Sequence, residues 1–254
     1  MNKTKFEQKV CIIIPCFNEQ DRLPLEEFID YYNKSEIFFC FVNDGSTDET
    51  QTMLNKIQKE REDRILIVDQ IKNQGKAEAV RTGISRSIEW QDFEFIGYWD
   101  ADFSTPLEEI DHLLNNINSH IRLAMGSRVK RLGSEIIRNP ARHYFGRIFA
   151  TAASAILNLP VYDSQCGAKI LRSDLAKKIF TTPFISKWLF DVEVLARIIN
   201  EIGREESLKS IVEVPLFQWI EKKGSKIKFT DLFKVPYELL RIKKSYKLKK
   251  KQIQ

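Results

Sequence analysis

"FEFIGYWDADFST" (residues 93–105) decides the fold. Its first half is an apolar run with no polar face. Its second half sets two carboxylates, Asp100 and Asp102, one residue apart. A short continuous apolar run of this kind reads as a strand covered on both faces. Two acids at the mouth of such a strand repel each other and lose hydration, so they call for a compensating charge. A metal ion, a basic side chain or water could supply it. Thr105 and Pro106 follow as cap and first helical residue of "TPLEEIDHLLNNI" (105–117), so the acids are not needed as caps. Hard oxygen donors in a small group suit Mg2+ or Mn2+, which keep several waters and bridge to phosphates.

Outward from this stretch the same alternation repeats. "VCIIIP" (10–15), "IFFCFVN" (37–43), "RILIVD" (64–69) and "IRLAMGS" (121–127) are further strands without a polar face. Helical patterns separate them, among them 46–60, opened by the cap candidates Ser46, Thr47 and Asp48, and "GKAEAVRTGISRSIEW" (75–90). Strand and helix in regular alternation predict an α/β protein with a doubly wound, mostly parallel sheet. Ligands of such sheets bind outside the carboxyl ends of the strands. The residues collected there are "PCFNE" (15–19), "NDGSTD" (43–48), "NQGKAEAVRTG" (73–83), "DADFS" (100–104) and "GSR" (126–128). In "NDGSTD", Gly45 suits a positive-φ turn and Ser46 a cap, which leaves Asp44 to accept a hydrogen bond from a base or ribose.

The second half differs. "NPARHYFGRIFATAASAILN" (139–158) carries apolar pairs every fourth residue, with Arg138, Arg142, His143 and Arg147 at its start. This is an amphipathic helix of the kind that can lie in a membrane interface. "DSQCGAKI" (163–170), "KWLFDVEVLARI" (187–198) and a helical pattern from "TDLFKVPYELLRIKK" follow.

Composition excludes several classes. The 254 residues carry a net charge of +5, and the excess sits in "RIKKSYKLKKKQIQ" (241–254). The remainder is close to neutral and lacks a basic stripe, so no nucleic acid is expected as partner. Binding through the tail would instead show steep salt dependence. The four cysteines form no C-x-x-C pair and no zinc spacing, and read as reduced apolar fillers of a cytoplasmic protein. The longest apolar stretch, 148–157, is far short of the roughly 18 residues of a spanning helix. "GKAEAV" lacks the full P-loop pattern, and no G-x-G-x-x-G follows the first strand.

Taken in order, "IIIPCFNE", "VNDGSTDET", "NQGKAEAVRTG", "DADFS", "GSR", "DSQCGAKI" and "WLFDVE" resemble the blocks of family-2 glycosyltransferases with the GT-A fold. The likeness covers about residues 10–230 and is greatest to the branch that moves a sugar from a nucleotide onto dolichyl or another polyprenyl phosphate. Phe17, Ala77 and Ala168 depart from residues usual in that family. The resemblance implies one glycosyltransferase domain. Residues 9–128 would form a Rossmann-like nucleotide-sugar half, 129–230 an acceptor-side half, and 231–254 a basic C-terminal helix and tail.

It further implies an inverting transfer of a hexose, glucose first, from a UDP-sugar donor. Pro15, Asn18, Glu19, Asp44 and Lys76 would line the nucleotide pocket, with Asp163 and Gln165 as sugar-side contacts or simply a turn. Asp100 and Asp102 would hold the Mg2+ or Mn2+ on the diphosphate. A polyprenyl-phosphate acceptor, with a second pKa near about 6, is mostly dianionic at neutral pH and needs positioning rather than a base. Arg128, Arg138 and Arg142 are the candidates. The alternative acceptor is a saccharide hydroxyl, which requires a carboxylate base, and Asp191 is the obvious one. With a phosphate acceptor Asp191 would contact sugar hydroxyls or cap a helix. Trp188 is either core or a sugar platform. The basic tail and the 144–157 stretch predict peripheral attachment to the cytoplasmic face of a membrane.

Overall fold

The computed structural model describes residues 9–222 and 234–248. The chain divides into two compact units: residues up to Phe103 with Ala168–Pro183, and Ser104–Gly167 with the chain from Phe184 onward.

The first unit contains, in chain order, β1 (Val10–Cys16), α1 (Leu25–Lys34), β2 (Phe38–Asp44), α2 (Thr50–Glu60), β3 (Ile65–Gln70), α3 (Lys76–Trp90), β4 (Phe95–Tyr98), β7 (Lys169–Arg172) and α6 (Ser173–Ile179). Its strands lie in the order β3-β2-β1-β4-β7. The first three pairings are parallel, whereas β7 runs antiparallel to β4. The runs of β1 and β2 are buried on both faces, as their lack of alternation requires: Ile12, Ile13, Ile14, Phe39 and Phe41 have no exposed surface. The run of β3 is not: it lies at the edge of the sheet, and Leu66, Ile67 and Val68 are only half-buried. Each such side chain contributes about 1.5–3 kcal/mol by its burial. Phe28 of α1 packs edge-on against Phe39 and Phe41, with ring centroids 5.0 and 5.1 Å apart.

Register brings the polar strand ends to one edge. Cys16 pairs with Asn43, and Asp44 with Gln70. α2 begins at Thr50 rather than at Ser46. Two of the three residues expected as caps are used elsewhere: Ser46 Oγ accepts the Asn18 N–H at 3.0 Å, and Thr47 N–H donates to Asn18 Oδ1 at 2.8 Å. Asp48 Oδ1 takes the Thr50 N–H instead, at 3.0 Å.

The second unit contains α4 (Glu109–Asn115), β5 (Leu123–Ser127), β6 (Glu135–Ile137), α5 (Pro140–Leu157), α7 (Phe190–Ile202), α8 (Arg204–Ser210), β8 (Ile211–Pro215), β9 (Gln218–Ile220) and α9 (Val235–Ser245). Two parallel pairs organise it, β5 with β8 and β6 with β9. Thr105 and Pro106 do not start α4. They lead into a tight turn in which Glu109 N–H donates to Pro106 O at 3.2 Å and Ile110 N–H to Leu107 O at 2.9 Å. α5 buries Ala150, Ala153 and Leu157 but leaves Ile148 exposed. Of the helix expected from residue 230, residues 230–233 lie outside the described residues, as do 249–254 of the basic tail. Among the described residues, no helix is long and apolar enough to cross a membrane.

Candidate active site

At the sheet edge of the first unit, the carboxylates of the D-x-D are each met by a cation. Asp100 Oδ1 accepts from Lys76 Nζ at 2.5 Å, and Asp102 Oδ2 from Arg22 Nη2 at 2.8 Å. Arg22 also reaches Glu19, with its Nη1 3.4 Å from Oε2. Lys76 is the first residue of α3 and follows Gly75, whose φ of 97° only glycine adopts readily. The charge the acids call for is therefore supplied here by a lysine and an arginine on long stems.

Asp44 does other work than the sequence suggests. Its Oδ1 accepts the Gln74 N–H and its Oδ2 the Gly75 N–H, both at 2.8 Å, and the residue is buried. It ties the loop carrying Lys76 to the end of β2. Gly45 makes this approach possible: at φ 64°, a Cβ there would stand 2.5 Å from the Lys72 carbonyl carbon. Asn18 takes a left-handed φ of 51° and clasps the 46–47 turn, while Glu19 N–H donates to Thr50 Oγ1 at 2.8 Å. Pro15 sits within β1, half-buried. Asn18, Glu19, Asp44, Lys76, Asp100 and Asp102 thus share one edge with Arg22, which sequence reading missed. Its only signal is its place three residues after Glu19.

In the second unit Arg128 and Asp163 form a bidentate pair. Arg128 Nε and Nη2 donate to the two carboxylate oxygens at 2.7 Å each, and the Arg128 N–H adds a third bond at 3.0 Å. Burial by itself would raise the Asp163 carboxyl, but the charge and hydrogen bonds of Arg128, helped by the charge of Arg138, hold it at about 2. Glu213 of β8 anchors the backbone beneath, accepting the Tyr162 and Asp163 N–H groups at 2.8 and 2.7 Å. The Arg128 guanidinium lies 5.3 Å from the centre of the Trp219 ring. Arg138 rests on Gly146 of α5, where a Cβ would stand 2.8 Å from its Nη2. Arg142 lies in the first turn of α5, and its side chain lies outside the described residues.

Gln165 Nε2 is a buried donor with no hydrogen-bond partner among the described residues, and Ser127 Oγ at the end of β5 is likewise unpartnered. Asp191 is buried, and it sits inside the first turn of α7 rather than at its cap. The helix macrodipole favours an acid there. Glu193, two residues on, is fully buried, binding Arg197 at 2.9 Å and the hydroxyl of Tyr246, just past α9, at 2.7 Å. Trp188 is half-buried and lines a cavity of about 390 Å³ with Lys187, Lys234 and Arg241.

The donor set fits a hard divalent ion. Both groups are carboxylates, and Asp100 keeps 42% of its side chain exposed. Among the described residues, no group of three or more His, Cys, Asp or Glu side chains is placed to hold a metal ion.

The chain is 29% identical to a dolichyl-phosphate beta-glucosyltransferase of Trichomonas vaginalis, over 97% of this chain and 77% of that protein. It is 28% identical to the dolichyl-phosphate beta-glucosyltransferase of Mus musculus, over 87% and 70%. With the polyprenol monophosphomannose synthase of Mycolicibacterium smegmatis it shares 26% identity over 82% and 77%. Among solved structures, it matches glucosyl-3-phosphoglycerate synthase of Mycobacterium tuberculosis, crystallised with Mn2+, UDP and glucosyl-3-phosphoglycerate. The TM-score is 0.66 at 16% identity, covering 94% of this chain and 80% of that one. The family model for glycosyl transferase family 2 matches residues 11–180. A mostly parallel α/β sheet with an acid pair at its edge, joined to these likenesses, makes the chain a glycosyltransferase and a member of glycosyl transferase family 2.

Proposed function

We propose that the protein moves a hexose, glucose first, from a UDP-sugar to a polyprenyl phosphate at a membrane surface, with inversion at the anomeric carbon. The observation that carries this reading is the acid pair at the end of β4, each member compensated by a side chain able to change partners. The relatives named for dolichyl-phosphate glucosyl transfer supply the substrate class.

Asp100 and Asp102 would hold a Mg2+ or Mn2+ ion, which when bound offsets negative charge on the departing diphosphate. Lys76 and Arg22, released from the carboxylates, bind diphosphate oxygens. Asp44 fixes the loop that aims Lys76. Pro15, Asn18 and Glu19 shape the wall beside the nucleotide. Gln165 Nε2, a buried donor lacking a partner, is suited to a sugar hydroxyl. Arg128, Arg138 and Arg142 steer the acceptor phosphate, with Asp163 setting the angle of the Arg128 fork. A phosphate dianion attacks without a general base. The burial of Asp191 suits a group that orients hydroxyls more than one open to solvent. The four thiols, all free and buried, suit a reducing cytoplasmic face.

The test is incubation with polyprenyl phosphate and a panel of radiolabelled UDP- and GDP-sugars, with and without EDTA. Label should pass into the organic phase from one UDP-sugar and only with divalent metal. Label that stays in the aqueous phase as an oligosaccharide would move the acceptor to a saccharide hydroxyl.

A further inference from the structure

We propose that the β5–β6 turn and the strap joining β8 to β9 form an edge that inserts into the surface of an anionic bilayer. This deepens the lipid-phosphate reading by naming the part of the chain that meets the membrane, and it rests on that reading only for the presence of a membrane.

Three apolar side chains stand out from the second unit at this edge. Leu132 is fully exposed, and Phe217 and Ile137 are each 52% exposed. Singly exposed apolar residues are ordinary on any protein surface. These differ because the fold holds them out. The turn is closed by Ser134 N–H to Arg131 O at 3.1 Å and by Arg131 N–H to Ser134 Oγ at 2.9 Å, with Gly133 at φ 82°. The Phe217 and Gln218 N–H groups both donate to Glu109 Oε1, at 2.7 and 2.8 Å, and Phe217 O accepts the Glu135 N–H at 2.7 Å. The His112 ring lies against Phe217 with centroids 4.4 Å apart, and His112 Nε2 is 3.2 Å from Pro215 O. Arg131 lies 5.2 Å from the Phe217 ring centre and donates to Pro215 O at 3.2 Å. A buried carboxyl, that of Glu109, is thus spent on a strap whose most prominent side chain is an exposed phenylalanine. A strap that only closed a loop could let that ring fold under.

Charge identifies the occupant. Lys130 and Arg131 directly precede Leu132, and the acids nearby are engaged within the ribbon: Glu135 accepts from the Gln218 amide at 2.8 Å and Glu221 from the Asn139 N–H at 2.9 Å. Apolar tips set among cations match the junction of acyl chains and anionic headgroups. Nucleic acid would use the cations and leave the leucine and phenylalanine in water. A stable protein partner needs about 800 Å² on each side, more than three side chains offer.

The test uses the full chain and vesicles of phosphatidylcholine with or without phosphatidylglycerol, read by co-sedimentation and without substrate. Wild type should bind the anionic vesicles at least about tenfold more tightly. The double variant Leu132→Glu with Phe217→Ser should lose about tenfold or more of that binding. Leu208→Glu, at an exposed leucine of α8, should lose none. Because the native cysteines are all buried, Leu132→Cys can be labelled alone with a polarity-sensitive dye, whose emission should shift blue on anionic vesicles. Equal binding by the double variant, or a dye that stays in water, overturns the proposal. So does tight RNA binding lost on Lys130→Ala with Arg131→Ala but kept by the double variant. Vesicle binding that survives when no sugar reaches the organic phase would sink the transferase substrate reading and leave this edge standing.

Discussion

The acid pair of the first unit and the arginine–aspartate pair of the second use similar charges to opposite ends. Lys76–Asp100 is partly exposed on both sides, with 35% and 42% of the side chains in contact with solvent. Arg128–Asp163 is nearly closed to solvent, at 13% and 11%, and is forked and backed by a third hydrogen bond. A wet pair on flexible stems contributes about 0–1 kcal/mol and can be exchanged for a ligand at little cost. A buried forked pair is costly to break, because either partner left alone is a charge without solvent. Exchange belongs to the donor edge, and fixed geometry to the arginine cluster.

The largest break in this contrast should come from Asp100→Asn with Asp102→Asn. Transfer should fall by about 10³-fold or more and lose its response to divalent metal, with circular dichroism and melting unchanged. Arg128→Met strikes the other pair and should destabilise the protein by about 3 kcal/mol, read as a lower urea midpoint.

The acid limb sharpens the same point. Asp163 titrates at about 2 when folded against 3.8 for a free side chain. A folded pKa below the unfolded one gives stability that is complete above 3.8 and is lost as pH falls through 2. Its size is roughly 2 kcal/mol. The urea midpoints of wild type and Asp163→Asn should therefore converge between about pH 4 and pH 2. The smallest effect is expected for Lys76→Met: donor KM should rise about tenfold while stability stays within about 0.5 kcal/mol.

Much of the donor edge was legible because it is local. Continuous apolar runs mark the buried strands, and the short polar segments after them must fall at one edge once the strands are parallel. β1 to β5 lie within about two residues of where the runs place them. What could not be read is what depends on distant partners. Arg22 meets Asp102 across 80 positions, and no local pattern forecasts that. Asp44 has the same chemistry as an open acceptor, yet the 74–75 loop takes both of its oxygens. Thr105-Pro106 has the composition of a helix start, but the helix begins only at Glu109, whose carboxyl serves the strap at 217–218. The fully buried Lys169, 5.4 Å from the Tyr98 ring, escaped notice because a lone lysine in a strand ordinarily points to water.

The chain leaves the first unit after Phe103 and returns to it only at Ala168. During synthesis, β4 must then wait with one side unbonded until β7 emerges roughly seventy residues later. At about 5–20 residues per second that interval lasts several seconds, long enough for a bare strand to recruit the wrong neighbour. Ribosome-stalled chains ending before residue 168 should be cut by protease within the first unit, and chains ending some forty residues past β7 should resist. Early protection would mean that the four N-terminal strands close without their late partner.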